Sequence, residues 1–157
     1  VYIDIKAFGK QSVRFSRGRA YMPKETKDYM VMVGGYARTY MRDNNLVVTD
    51  GPVFVNVIFH LAVPNSYSKA KRAAAIAGEI YPKKKPDNCN VVKGIHDAMI
   101  GIVYTDDSHI IDQCSRKRYA EKDSVHISVS YAPIHPLYKL QSPVDRDMRC
   151  HCGFCLF

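Results

Sequence analysis

A chain of 157 residues with 46% hydrophobic and 24% charged residues has the make-up of one ordinary globular domain, too short for a catalytic domain joined to a separate substrate domain. Its formal charge is +8, gathered at Arg14, Arg17 and Arg19, at Lys69, Lys71 and Arg72, at Lys83 to Lys85 and at Arg116 to Arg118, which favours a polyanionic partner because neutralising phosphates releases counterions. No apolar run approaches the about 20 residues that span a bilayer and no secretory leader opens the chain, so a membrane protein is excluded and a soluble, cytoplasmic one expected.

In chain order, the alternation of Val1, Ile3, Ile5 and Ala7 predicts an opening strand over residues 1–8, ended by Gly9. Residues 14–21 are basic and aromatic around Gly18 and read as a loop or ragged hairpin. Pro23 then opens a helix to about residue 43, with Glu25 and Asp28 early, where they complement the dipole. Its stripe of Tyr29, Met30, Val33, Tyr36, Ala37, Tyr40 and Met41 reads as core or dimer contact, while Gly34 and Gly35 weaken it by about 1 kcal/mol each relative to alanine unless a close neighbour requires them.

The β-branched run Pro52 to Val63 is the expected central strand, with Val53, Val55, Val57, Phe59 and Leu61 on one face. A basic, alanine-rich helix follows over about residues 66–80, then a proline-bounded loop, a second core helix near 89–100 and strands near 109–119 and 124–131. Residues 1–131 form the expected domain, and the proline- and cysteine-containing residues 132–157 an appended tail. Five cysteines, Cys89, Cys114, Cys150, Cys152 and Cys155, are an odd count that fits a reducing compartment better than a disulfide framework. Zinc at Cys150, His151, Cys152 and Cys155 is not favoured, because ligands crowded into six residues strain a tetrahedral site.

The chemistry concentrates in Lys85-Pro86-Asp87-Asn88-Cys89-Asn90-Val91-Val92-Lys93 and, one helix later, Thr105-Asp106-Asp107-Ser108. Asn90, Lys93 and Asp97 share the helix face opposite the apolar stripe. The bland reading makes Asp87 a helix cap and Lys93–Asp97 a surface ion pair. The sharper one brings Asp87 and Asp107 to one hard divalent ion with Asp106 helping, Lys93 supplying charge to the transition state. A helix over 90–100 is about 16 Å long, so those carboxylates converge only if loops fold across or a second subunit contributes.

These residues resemble the motif of RusA-type Holliday junction resolvases, in which Lys-Pro-Asp-x-Asp-Asn-x-x-Lys leads a helix and Asp-Asp-Ser follows it. The resemblance runs from Lys10 to Tyr131 and is similar to the phage and prophage members. It includes Gly9-Lys10, Arg14-Phe15, Gly18 to Pro23, Thr26, Pro64, Ser66 to Lys69, and Ala77-Gly78-Glu79.

It implies a single α+β domain with a mixed sheet and packed helices. The expected protein is a homodimeric, magnesium-dependent endonuclease that nicks four-way DNA junctions in recombination and repair, in the cytoplasm of a bacterial host if phage-encoded. By resemblance Asp87, Lys93 and Asp107 are catalytic; Asp87, Asp107 and Asp106 hold Mg2+ or Mn2+; and Arg14, Arg19, Lys69, Lys83, Lys84 and Lys85 grip phosphates. Where the family places its second carboxylate, this chain has Cys89, a soft and poor partner for magnesium. Water, Asp106 or Asn88 filling the position, a softer ion such as manganese, or a binding protein without cleavage are the alternatives. His109 is the weaker substitute, since a histidine opening a strand more often packs. An RNA-binding or assembly protein using only the charge is a third class.

Overall fold

The computed structural model describes residues 2–3, 5–16 and 18–131. Arg17 of the first basic cluster and the tail with its terminal cysteines therefore lie outside the described residues. The element order is β1 (Tyr2–Ile3), β2 (Arg14–Ser16), β3 (Arg19–Tyr21), α1 (Lys24–Asp43), β4 (Val53–Ala62), α2 (Lys69–Ile76), α3 (Asn88–Met99), a 3-10 turn (Asp107–His109), β5 (Ile110–Ala120) and β6 (Ser124–Tyr131). The fold is α+β, as expected.

A four-stranded mixed sheet runs in the order β1-β6-β4-β5. Its central strand β4 pairs in parallel with β5, from Val53↔Ile110 to Ala62↔Ala120, and antiparallel with β6, from Val53↔Tyr131 to His60↔Ser124. Burial alternates along β4 as the strand period demands, so that Val53, Val55, Val57, Phe59 and Leu61 face inward. They meet Tyr29, Val33, Ala37 and Met41 of α1 and Val91, Val92, Ile95 and Met99 of α3 in one core. Tyr36 and Tyr40, placed in the stripe by their spacing, are instead each 45% exposed on the outward side of α1.

The opening strand is shorter than its alternation predicts. Among the described residues only Tyr2 and Ile3 pair, with His126 and Val125, before the chain leaves the sheet edge and crosses to α3. Ala7 is buried in the core on the way. Gly9 then passes the start of α3, where an added Cβ would meet Asn90 Cβ at 3.4 Å and Pro86 Cβ at 3.5 Å. The Lys10 amide donates to the Asn90 carbonyl at 2.9 Å. A flat strand cannot make that crossing, which is why the alternation stops early.

The basic text before α1 folds as a small exposed hairpin, with Arg14↔Tyr21 and Ser16↔Arg19 paired and Gly18 at φ +74°. Helix α2 is trimmed at both ends by local chemistry. The Ser68 hydroxyl accepts from the Lys71 amide at 3.3 Å and starts it, and Gly78, at φ +83°, ends it.

Candidate functional site

Helix α3 positions the first half of the acidic motif. Asp87 is its N-terminal flanking residue, with extended backbone angles, and its carboxylate makes no side-chain capping hydrogen bond. Asp87 thus takes the cap position without capping the helix backbone through its side chain: the exposed carboxylate stands beside the positive end of the helix dipole, with the Asn90 side-chain amide donating to Oδ2 at 3.5 Å. Cys89 and Lys93 are exposed on the same helix. Asn88 turns the other way and donates to the Ser115 carbonyl of β5 at 3.4 Å, tying the first turn to the sheet.

The second half lies at the opposite end of α3. After Met99 the chain turns through Gly101, at φ +71°, whose amide donates to the Tyr104 carbonyl at 2.7 Å. Tyr104 is buried, and its hydroxyl donates to the His96 carbonyl at 3.3 Å. Asp106 accepts from the Ser108 amide at 2.9 Å and so caps the 3-10 turn. Hydrogen bonding from Ser108, side chain first and then backbone, holds the Asp106 carboxyl below its ordinary range. Asp107 and Ser108 are exposed on that turn.

His96 is 8% exposed, and its Nε2 has no hydrogen-bond partner among the described residues. Burial pushes its pKa down, against the opposing pull of the Asp107 and Asp97 charges. Burial also raises that of Tyr104, with the same two carboxylates adding to the effect. Asp107 thus shares its surroundings with Asp97.

Asp97 is the residue whose partner differs from the helix-face expectation. Its carboxylate pairs with Lys10 from the crossing segment, and Lys93 makes no ion pair among the described residues. Gly94 faces the same segment, where an added Cβ would make ordinary van der Waals contact with Lys10 Cβ at 3.5 Å.

The donor chemistry suits a hard divalent ion at Asp87, Asp106 and Asp107, which are exposed oxygen ligands, and does not suit it at the Cys89 thiol. Among the described residues no three His, Cys, Asp or Glu side chains are grouped to hold a metal ion. Asp87 flanks the first turn of α3, whereas Asp97, ten residues on and about 15 Å along the axis, marks the end where Asp107 lies.

The predicted phosphate contacts are all exposed. Lys83, Lys84 and Lys85 are exposed in the loop before Asp87, Lys69 on the first turn of α2, and Arg14 and Arg19 on the hairpin. Arg14 donates to Gln11 Oε1 at 3.2 Å. Two members of the Arg116 to Arg118 cluster turn inward to the protein instead. Lys117 Nζ donates to the carbonyls of Lys84 at 2.8 Å and Pro86 at 3.2 Å, and the Arg118 guanidinium lies 4.8 Å from the Tyr81 ring centroid. Lys10, His96 and Lys117 are the residues near the site to which motif reading gave no place in it: Lys10 entered only with Gly9 in the resemblance, Lys117 only as one of a basic cluster, and His96 not at all.

No helix among the described residues is long and apolar enough to cross a membrane. The family model for Endodeoxyribonuclease RusA matches residues 4–130. An uncharacterized protein of Bacillus subtilis (strain 168), YqaN, is 31% identical over 136 residues, spanning 82% of this chain and 92% of its own.

Proposed function

Because the chain belongs to the RusA endodeoxyribonuclease family, we propose that it is a divalent-metal-dependent nuclease that hydrolyses phosphodiesters at four-way DNA junctions during recombination and repair in the cytoplasm. The observation that carries this reading is the family match over residues 4–130, which takes in both halves of the acidic motif. The exposed carboxylate of Asp87 supports it, since without a capping hydrogen bond to the helix backbone its oxygens stay accessible to an ion.

In the proposed reaction a water oxygen bonds to phosphorus as the bond to the leaving sugar oxygen breaks. Asp87 and Asp107, helped by Asp106, would hold the divalent ion, Mg2+ or Mn2+, which when bound would supply water activation and stabilise the leaving oxygen. Lys93 places a positive charge against the negative charge that develops on the phosphate. Lys69, Lys83, Lys84, Lys85, Arg14 and Arg19 grip the strands through their phosphates, without reading sequence. Residues 1–131 are the proposed catalytic domain, with residues 132–157 dispensable for junction binding. Since Asp87 and Asp107 approach from opposite ends of α3, the proposed assembly is a homodimer in which the carboxylates meeting at one ion come from two protomers.

Asp87→Asn and Asp107→Asn test the assignment. Each is expected to abolish nicking of a synthetic four-way junction in Mg2+ or Mn2+ while leaving binding intact or tighter, because a carboxylate that repels phosphate is gone. Mixing the two variants then locates the ligands. A mixed dimer regains one intact centre and nicks one strand if each centre spans two protomers, and stays silent if both acids serve from one. Cleavage that persists in both single variants overturns the proposed site.

A second reading, a junction-binding protein without cleavage, is favoured by one observation: the exposed Cys89 thiol stands on the first turn of α3 at the family's carboxylate position. Junction binding without nicking by the unmodified protein in either metal would select it.

A further inference from the structure

We infer that Lys117 is a positioning residue for the acidic site, holding the loop that carries Lys83 to Asp87 rather than gripping DNA itself. The inference rests on the endonuclease reading and adds to it a residue outside the family motif.

The argument begins with what fastens that loop. Among the described residues, residues 80–86 make no backbone-to-backbone hydrogen bond. Three adjacent exposed ammonium groups, Lys83, Lys84 and Lys85, also repel one another, which works against any single compact arrangement. Yet the next residue, Asp87, must be placed accurately for its carboxylate to serve one ion. The loop therefore needs an external hold.

Lys117 supplies it. Two of the three donors of its ammonium go to the carbonyls of Lys84, at 2.8 Å, and Pro86, at 3.2 Å, which bracket Lys85 and end one residue short of Asp87. The lysine itself stands on firm ground: β5 is paired with β4 along its length, and Lys117 lies opposite the fully buried Phe59. Two residues back on the same strand, the Ser115 carbonyl receives the Asn88 amide at 3.4 Å. One strand thus holds the chain on both sides of Asp87, and the three loop lysines are left facing solvent. A cation engaged by two carbonyls does not release a counterion to DNA as an exposed one does, so Lys117 differs in kind from its neighbours despite its charge.

The test compares Lys117→Met, which removes the donors and keeps most of the stem, with Lys117→Arg, which keeps donors, and Lys83→Ala, which removes a phosphate contact. Lys83→Ala is expected to reduce the salt dependence of junction affinity by about one counterion, whereas Lys117→Met leaves the slope unchanged. Lys117→Met instead lowers the single-turnover cleavage rate at saturating protein by about tenfold or more, and Lys117→Arg recovers most of that loss. A reduced salt slope with an unchanged saturating rate would overturn the inference and make Lys117 a phosphate contact.

Backbone 15N order parameters over residues 83–88 separate this inference from the nuclease reading. If the unmodified protein nicks no junction in either metal, the nuclease reading fails by itself. Lower order parameters in Lys117→Met, restored in Lys117→Arg, still uphold the hold on the loop, and unchanged order parameters overturn it. Should Lys117→Met fail to fold by circular dichroism, Lys117→Gln is read by the same outcomes.

Discussion

Position 89 concentrates the chemical question in one atom. The Cys89 sulfur is exposed on the first turn of α3, two residues after Asp87, where an oxygen ligand would suit a hard ion and a thiol does not. Cys89→Asp is therefore expected to tighten Mn2+ binding and raise the nicking rate. Partners one sphere out from a metal are worth about 10- to 100-fold in affinity, so a restored direct ligand should give about tenfold or more by titration calorimetry. Affinity and rate both unchanged would mean that residue 89 does not face the ion. At this scale the exposed helix face shared by Asn90 and Lys93 was legible in the sequence, because one helix spaces them. The Lys10–Asp97 pair was not, since its partners are 87 residues apart and no local pattern marks such a contact.

Among the elements, the crossing of α1 over the end of α3 shows what a small residue is for. A Cβ on Gly34 would stand 3.1 Å from both the Ala98 carbonyl oxygen and Ile102 Cδ1, whereas one on Gly35 would meet nothing within 4 Å. The carbonyl belongs to the α3 backbone and has little room to move, so Gly34→Ala should destabilise the protein by about 1–3 kcal/mol through overpacking. Gly35→Ala should stabilise it by up to about 1 kcal/mol through helix propensity. Denaturant midpoints of the two variants check the contrast, and shifts of the same sign would refute it. Sequence patterning predicted the long helices and strands well, because a 3.6-residue or two-residue period repeated many times leaves little choice. It treated the two glycines alike because their difference lies wholly in the neighbouring helix.

For the molecule as a whole, three histidines act in the same direction. Burial lowers the pKa of His60, His96 and His126, and His60 is lowered further by His126 and Arg118. A histidine whose folded pKa lies below its unfolded value of about 6.5 favours the fold fully above that pH, and the contribution is lost as pH falls toward the folded pKa. Asp106, depressed in its own lower range, contributes nothing variable between pH 5 and 7.5. The melting temperature should therefore fall as pH drops from 7.5 to 5. It should fall less in His60→Gln, which loses one of the three groups along with the hydrogen bond between His60 Nδ1 and Ser124 Oγ, 3.1 Å apart. A melting temperature that is flat or rises on acidification would contradict the account.

The strand order carries a consequence for how the protein comes into being on the ribosome. Every ladder in the four-stranded sheet uses β5 or β6, the last strands among the described residues: β4 waits for both, and β1 waits for β6. The loop lysines and both acidic segments all precede residue 110, and they emerge before β4 has any partner to pair with. A nascent chain halted before residue 110 would carry the charges of the site without the strand that holds them. Synthesis of residues 110–131 is thus the step at which the chemical groups and their frame arrive together, and a prematurely terminated product lacks the means to arrange them.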